Sequence, residues 1–304
     1  MAVRHARDGA VKHRIEYGAV RLAAMMVKPL SMARARAFGA ALGRLAYRLD
    51  RRHRGVALDN LAAAFPGRSA TERTAIARGV FEHFGSVTLE LLKVASMRPE
   101  QLLALCETEG DEHCWRALDP GKGVICFTGH FGYWEVQAIA SAARFMPISV
   151  LARRLDNPHL HRMLEDIRML TGNQVIYRHG AIRRILRELA ANRAIAMLID
   201  QHLQRDAIMV DFFKRPAATT SALAVLALRT GAVVLPVFAL PLPGGRYKLI
   251  YERAVDPPRE DSPDAIREFT QRCSDVLEMY VRKHPELWLW MHRRWRDEDS
   301  RSRP

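Results

Sequence analysis

The side chains best suited to proton chemistry lie in the segment GVICFTGHFGYWEVQAIA, Gly123 to Ala140. An apolar run ends in Thr128-Gly129-His130, and helical periodicity begins near Gly132. The carboxyl ends of strands are where layered α/β sheets hold reactive groups, so His130 stands where an exposed base belongs. Glu135 follows five residues later. On one continuous helix the two side chains would point about 140° apart. They can meet only with His130 on the loop and Glu135 in the first helical turns, near the positive helix end. A carboxylate there would hold one ring nitrogen and leave the other free to take a proton from a hydroxyl. The same spacing equally suits a structural histidine at a strand end beside an unrelated glutamate. It does not suit a metal site, because it is not HExxH and no third ligand is near.

Other residues take comparable positions. Asp200 closes the run AIAMLID and is followed by Gln201, Arg153 follows ISVLA, and Arg168 ends a helical stretch. An arginine fork can grip a phosphate in two places; the plainer alternative for Arg168 is a helix-surface arginine. Asp200 either orients a donor or an arginine, or is a plain strand-terminating cap. Arg293 and Arg294 stand among Trp288, Trp290 and Trp295, a mixture that fits a membrane interface or a segment packed on the core. Thr219 and Thr220, before an apolar helix, read as caps.

These groups need a framework. From about residue 120, short β-rich runs (GVICF, ISVLA, QVIYR, AIAMLI, VVLPVFALP, YKLIYER) alternate with helical segments, ending in a helix over 263–283. That alternation predicts a layered α/β domain with a mostly parallel central sheet. Residues 70–105 carry helical periodicity with Val80, Phe81, Phe84, Val87, Leu91 and Leu92 as a core stripe. The first fifty residues predict basic amphipathic helices. Arg21, Lys28, Arg34, Arg36 and Arg44 interrupt every apolar stretch, so no uninterrupted span of about 18 residues exists. Arg44 and Arg48 share one face, while Ala41, Leu42, Leu45, Ala46 and Leu49 form another, the pattern of a helix lying on an anionic membrane. Three units follow: a membrane-associating segment over 1–50, a main domain over 51–296, and a flexible polar tail over 297–304.

Composition narrows the partners. The 304 residues carry a formal net charge of +14 and are 49% hydrophobic. That is neither a disordered chain nor a polytopic membrane protein. Nucleic acid, anionic membrane and acidic substrates all answer to such charge. No zinc-finger spacing or RNA-binding signature accompanies it, so nucleic acid is not expected. A basic scaffold without catalytic activity also fits the charge. The four cysteines are scattered and predict no disulfide framework.

Five ordered blocks carry a resemblance. TGHFGYWE (128–135) resembles the H-x4-D/E signature of bacterial lysophospholipid acyltransferases. More closely, RRLDNPHLHRMLEDIR (153–168), IDQH (199–202), VDFFKRPAATT (210–220) and HPELWLWMHRRWR (284–296) resemble the lipid A biosynthesis lauroyl and myristoyl transferases, over roughly residues 20–296. The chain departs from that branch in its charge-interrupted N-terminus, and its Arg153-Arg154 replaces a common Arg-Pro. The resemblance implies the αβα fold of glycerol-phosphate acyltransferases and O-acyl transfer with His130 as general base and Glu135 orienting it. It places Arg168 and Asp200 in the active-site groove, and Arg153, Gln201, Arg293 and Arg294 are the further residues expected to bind substrate. It implies no metal and no cofactor beyond an acyl carrier protein or coenzyme A thioester. The acceptor is then a glycolipid, first a lipid A precursor, or else a lysophospholipid, an aminolipid or a mannosylated inositol lipid. The implied place is the cytoplasmic face of the inner membrane.

Overall fold

The computed structural model describes residues 2–177, 180–203 and 207–295, with side chains from Gly9 onward. Arg178 of the QVIYR run, Arg296 and the tail expected over 297–304 lie outside these residues.

Five helices come first: α1 (Ala2–Val27), α2 (Met32–Leu49), α3 (Arg51–Ala64), α4 (Ala70–Val94) and α5 (Pro99–Leu103). The alternating part follows as β1 (Cys106–Glu109), α6 (Asp111–Leu118), β2 (Val124–Thr128), α7 (Trp134–Arg144), β3 (Ile148–Ala152), α8 (Pro158–Arg168), β4 (Gln174–Tyr177), α9 (Ala181–Ala190) and β5 (Ala194–Leu198). The chain closes with β6 (Ala207–Phe212), β7 (Arg215–Thr220), α10 (Ala222–Thr230), β8 (Val233–Leu242), β9 (Arg246–Tyr251) and α11 (Pro263–Lys283).

The main sheet has the order β1-β9-β8-β2-β5-β3-β4. The five strands from β8 to β4 are mutually parallel, while β9 runs antiparallel to β8 and carries β1 with it. The expected mostly parallel α/β sheet is therefore present, with a reversed edge. The reversal follows from the short turn over Pro243–Gly245, which can join only antiparallel neighbours. β2 is buried at all five positions, as a central strand covered on both faces must be. β6 and β7 form a separate antiparallel hairpin. Its turn residues Phe213 and Lys214 both have positive φ, the primed geometry that matches strand twist.

Helix α4 begins with a capping box between Ser69 and Glu72 and buries Val80, Phe81, Val87 and Leu92 of the expected stripe. Its partner α2 turns a different stripe inward: Met32, Ala35, Gly39 and Gly43. A Cβ on Gly43 would stand 2.1 Å from the Phe81 carbonyl oxygen, so the helix backbones approach where only glycine fits. Leu42, Leu45 and Leu49, the face expected to meet lipid, remain exposed. Among the described residues no helix is long and apolar enough to cross a membrane.

One buried ion pair ties this layer to the sheet. The Arg36 guanidinium donates to Glu90 at 2.7 and 3.1 Å, and Tyr133, just before α7, donates its hydroxyl to the same carboxylate at 2.9 Å. A buried carboxylate is tolerated because its lone pairs are taken up in this way.

Candidate active site

β2 and β5 are parallel neighbours in a register that pairs Thr128 with Leu198. Two residues beyond each strand end, the same register brings His130 against Asp200. The Asp200 carboxylate accepts from the His130 backbone N–H at 2.7 Å and lies 2.8 Å from the ring Nδ1. It also accepts the indole N–H of Trp288 at 2.8 Å. Gly129 makes room for this approach, since a Cβ there would stand 2.8 Å from Asp200 Oδ2. The C-terminal strap holds the loop from the other side. Leu289 N–H donates to the His130 carbonyl at 3.0 Å and Gly132 N–H to the Leu287 carbonyl at 2.9 Å.

With Nδ1–H donating to a carboxylate, the lone pair of neutral His130 is on Nε2. Nε2 lies 3.5 Å from the side-chain nitrogen of Gln201, on the accessible side of the ring. Burial works to lower the His130 pKa, but the charge and hydrogen bond of Asp200, with the charge of Glu135, outweigh it and raise the value. Burial would likewise raise the Asp200 pKa. The charge and hydrogen bond of His130, helped by His292, hold it well below the ordinary carboxylate range instead. Such a base is oriented through Nδ1 and stabilised when Nε2 takes up a proton.

The expected partnership of His130 with Glu135 takes a different form. α7 begins at Trp134, so Glu135 is in its first turn, but the carboxylate turns to Arg168 at the end of α8. Arg168 Nε donates to it at 2.8 Å and a second guanidinium N–H completes a two-pronged pair. Glu135 acts on His130 through its charge, and the hydrogen-bonded orienting position belongs to Asp200. Asp200 in turn is not a groove residue: it is 1% exposed and filled with donors. Only the order of strands in the sheet makes this substitution, because Asp200 is 70 residues from His130 in sequence.

The remaining expected substrate residues divide. Arg168 reaches the site. Gln201 faces His130. Arg153 follows β3 at the same end of the sheet, its side chain 85% exposed and loosely paired with Asp156. Arg293 is exposed. Arg294 is not available to a substrate: it is 1% exposed and donates to the Ala218 carbonyl and Thr219 hydroxyl, and burial lowers its pKa to about 10. Thr219 therefore anchors Arg294, while Thr220 accepts the Ala222 N–H at the start of α10. Trp288, Trp290 and Trp295 are buried against Phe212 and Phe213, so the C-terminal aromatic segment packs on the core.

Trp288 is a site residue to which sequence reasoning gave no such role. It lies in the HPELWLWMHRRWR block, but only the strap's return to the sheet shows its indole N–H on Asp200. Trp288→Phe keeps most of the packing and removes a donor to a buried charge. A loss of about 1.5–3 kcal/mol in stability is expected. Thermal melting checks this; an unchanged midpoint would show that Asp200 needs no third donor.

Beside the pair lies a largely apolar cavity that opens to solvent. Thr128, Trp134, Glu135 and Arg168 line the end nearest His130, and Val124 and Tyr251 line the far end. It therefore runs along the length of β2 beneath α7. Five strand residues at about 3.3 Å each make that a deep slot.

A family model described as bacterial lipid A biosynthesis acyltransferase matches residues 7–297. The chain is similar to the phosphatidylinositol mannoside acyltransferase of Mycolicibacterium smegmatis, 27% identical over 188 residues that cover 60% of each chain, less than two thirds of that relative's length. It is 26% identical to the lipid A biosynthesis myristoyltransferase of Escherichia coli K12, covering 83% of this chain and 78% of that one. It is 27% identical to the lipid A biosynthesis lauroyltransferase of the same strain, covering 85% and 84%.

Proposed function

This chain belongs to the bacterial lipid A biosynthesis acyltransferase family, and from that premise we propose that it moves a fatty acyl chain from a thioester to a glycolipid hydroxyl. The observation that carries the reading is the His130–Asp200 pair at one end of a deep apolar slot. The donor's hydrocarbon tail lies in the slot, with its thioester carbon at the mouth. His130 Nε2 removes the acceptor's hydroxyl proton while Asp200 holds Nδ1–H. The acceptor oxygen attacks the thioester carbon, the carbon–sulfur bond breaks, and protonated His130 returns its proton to the leaving sulfur. No covalent enzyme intermediate is needed. Glu135 and Arg168 form one wall of the mouth, and their pairing keeps Arg168 charged beside the donor's phosphate-bearing arm.

A lipid A precursor is the first acceptor to test, and acyl carrier protein or coenzyme A is the carrier. The mannoside acyltransferase relative favours a second reading, in which the acceptor is a mannosylated inositol lipid. The exposed Leu42, Leu45 and Leu49 of α2, with Arg48 beside them, suit attachment to the cytoplasmic face of the inner membrane. Purified protein offered both carriers and both acceptors decides between the readings. Lipid A from a deletion strain that keeps its full acyl complement by mass spectrometry would remove the first.

The slot also makes a length prediction. Ala194 lines its far end, opposite Val124 in the sheet. Ala194→Phe fills that end and is expected to shift the preferred donor to a shorter chain, at about 1–3 kcal/mol of overpacking. Rates across a graded series of acyl donors check it; an unmoved optimum would mean the tail lies elsewhere.

A further inference from the structure

The slot is apolar but not uniformly so. Its polar wall residues divide into those already satisfied and those that are not. Glu135 and Arg168 are paired with each other, and at the far end Ser141 and Tyr251 share a hydrogen bond of 2.8 Å. Among the described residues of the wall, the buried side-chain nitrogen and oxygen atoms left without a partner are Thr128 Oγ1 and both amide atoms of Gln137. Gln137 is 3% exposed. A primary amide buried with neither its donors nor its acceptor engaged is uncommon and unfavourable in an apolar setting.

Both residues stand toward the His130 end. Thr128 is two residues before His130, and strand alternation turns Val124, Cys126 and Thr128 to the same face. Gln137 is three residues after Trp134, about 4.5 Å further along α7. A hydrocarbon tail passing these atoms would leave them all unpaired. A tail carrying a hydroxyl there would donate to the Gln137 carbonyl oxygen and accept from its N–H or from the Thr128 hydroxyl.

We propose that the slot selects an acyl chain hydroxylated near its thioester end, with Gln137 and Thr128 as the residues that read the hydroxyl. This rests on the reading that the slot holds the donor's acyl chain. A site built to pair a hydroxyl disfavours the analogue lacking it, because its own polar groups are then left unsatisfied.

The test uses the full chain and coenzyme A or acyl carrier protein thioesters of one length: unsubstituted, 2-hydroxy and 3-hydroxy. One hydroxylated donor is expected to exceed the unsubstituted one in kcat/KM by at least about tenfold, the scale of a single well-made hydrogen bond. Gln137→Leu, close in shape and without polar atoms, is expected to erase or reverse that ratio, and Thr128→Val to reduce it. The wild-type ratio is read independently of how any variant folds. Preference for the unsubstituted chain, or a ratio unmoved by Gln137→Leu, overturns the proposal and points to an ordered water as the partner of Gln137. Transfer from the unsubstituted donor alone removes only this inference. Transfer from no thioester removes the acyltransfer reading and this one with it.

Discussion

His130→Ala is expected to lower acyl transfer by about 10³–10⁴-fold while the protein remains folded, because it deletes the group that takes the acceptor's proton. The fold should tolerate the change. Asp200 keeps two of its donors, the backbone N–H of residue 130 and the indole of Trp288. Steady-state rates with a purified donor and acceptor, alongside circular dichroism, test this directly; turnover at the wild-type rate would end the general-base assignment. The pH profile gives a second reading. Only neutral His130 can accept the proton, and its pKa is raised by Asp200 and Glu135 against the effect of burial. The rate should therefore fall as pH drops through that raised value.

Asp200→Asn should be nearly as damaging, with a fall of about 10³–10⁴-fold, as expected when a base loses the carboxylate that sets its tautomer. An asparagine can present its N–H to Nδ1, which places the ring proton on Nε2 and leaves no lone pair toward the acceptor. The lost charge also lowers the His130 pKa, so whatever activity remains should have its acidic limb moved to lower pH. Rate–pH curves of the two proteins measure both effects; coincident curves would mean that Asp200 is structural. The same linkage bears on stability. The depressed Asp200 pKa means that its contribution is present above the carboxylate's unfolded value and is lost as pH falls through the folded one. The raised His130 pKa works in the opposite direction. Its share is full below the unfolded value and is lost as pH rises through the folded one. Glu135 offers a contrast: bound to Arg168 and touching His130 only through its field, it should alter the pH profile less than Asp200 does.

Much of this protein is written locally. Strand-end placement of His130 follows from an apolar run that stops at Thr128-Gly129, and α11 over Pro263–Lys283 follows from periodicity bounded by a Ser262 cap. The alternating pattern determines a layered sheet because each amphipathic helix must cover a strand. Those features depend on neighbours a few residues apart, so a sequence displays them.

Contacts between distant segments are another matter. β5 lies beside β2 only because the sheet is ordered that way, and that adjacency gives the orienting carboxylate to Asp200 rather than to the sequence-near Glu135. Arg168 claims Glu135 because α8 ends where α7 begins its first turn. Trp288 and Arg294 fit either a membrane interface or a segment packed on the core, and the return of the C-terminal strap decides for the core by burying both. The unpaired amide of Gln137 is also invisible in one dimension, since a glutamine reveals its lack of partners only when everything around it has packed. Sequence by itself determined which residue could act as base and where on a strand it would stand. The tertiary structure decided which carboxylate holds it, and the reason is strand order, which no local periodicity encodes.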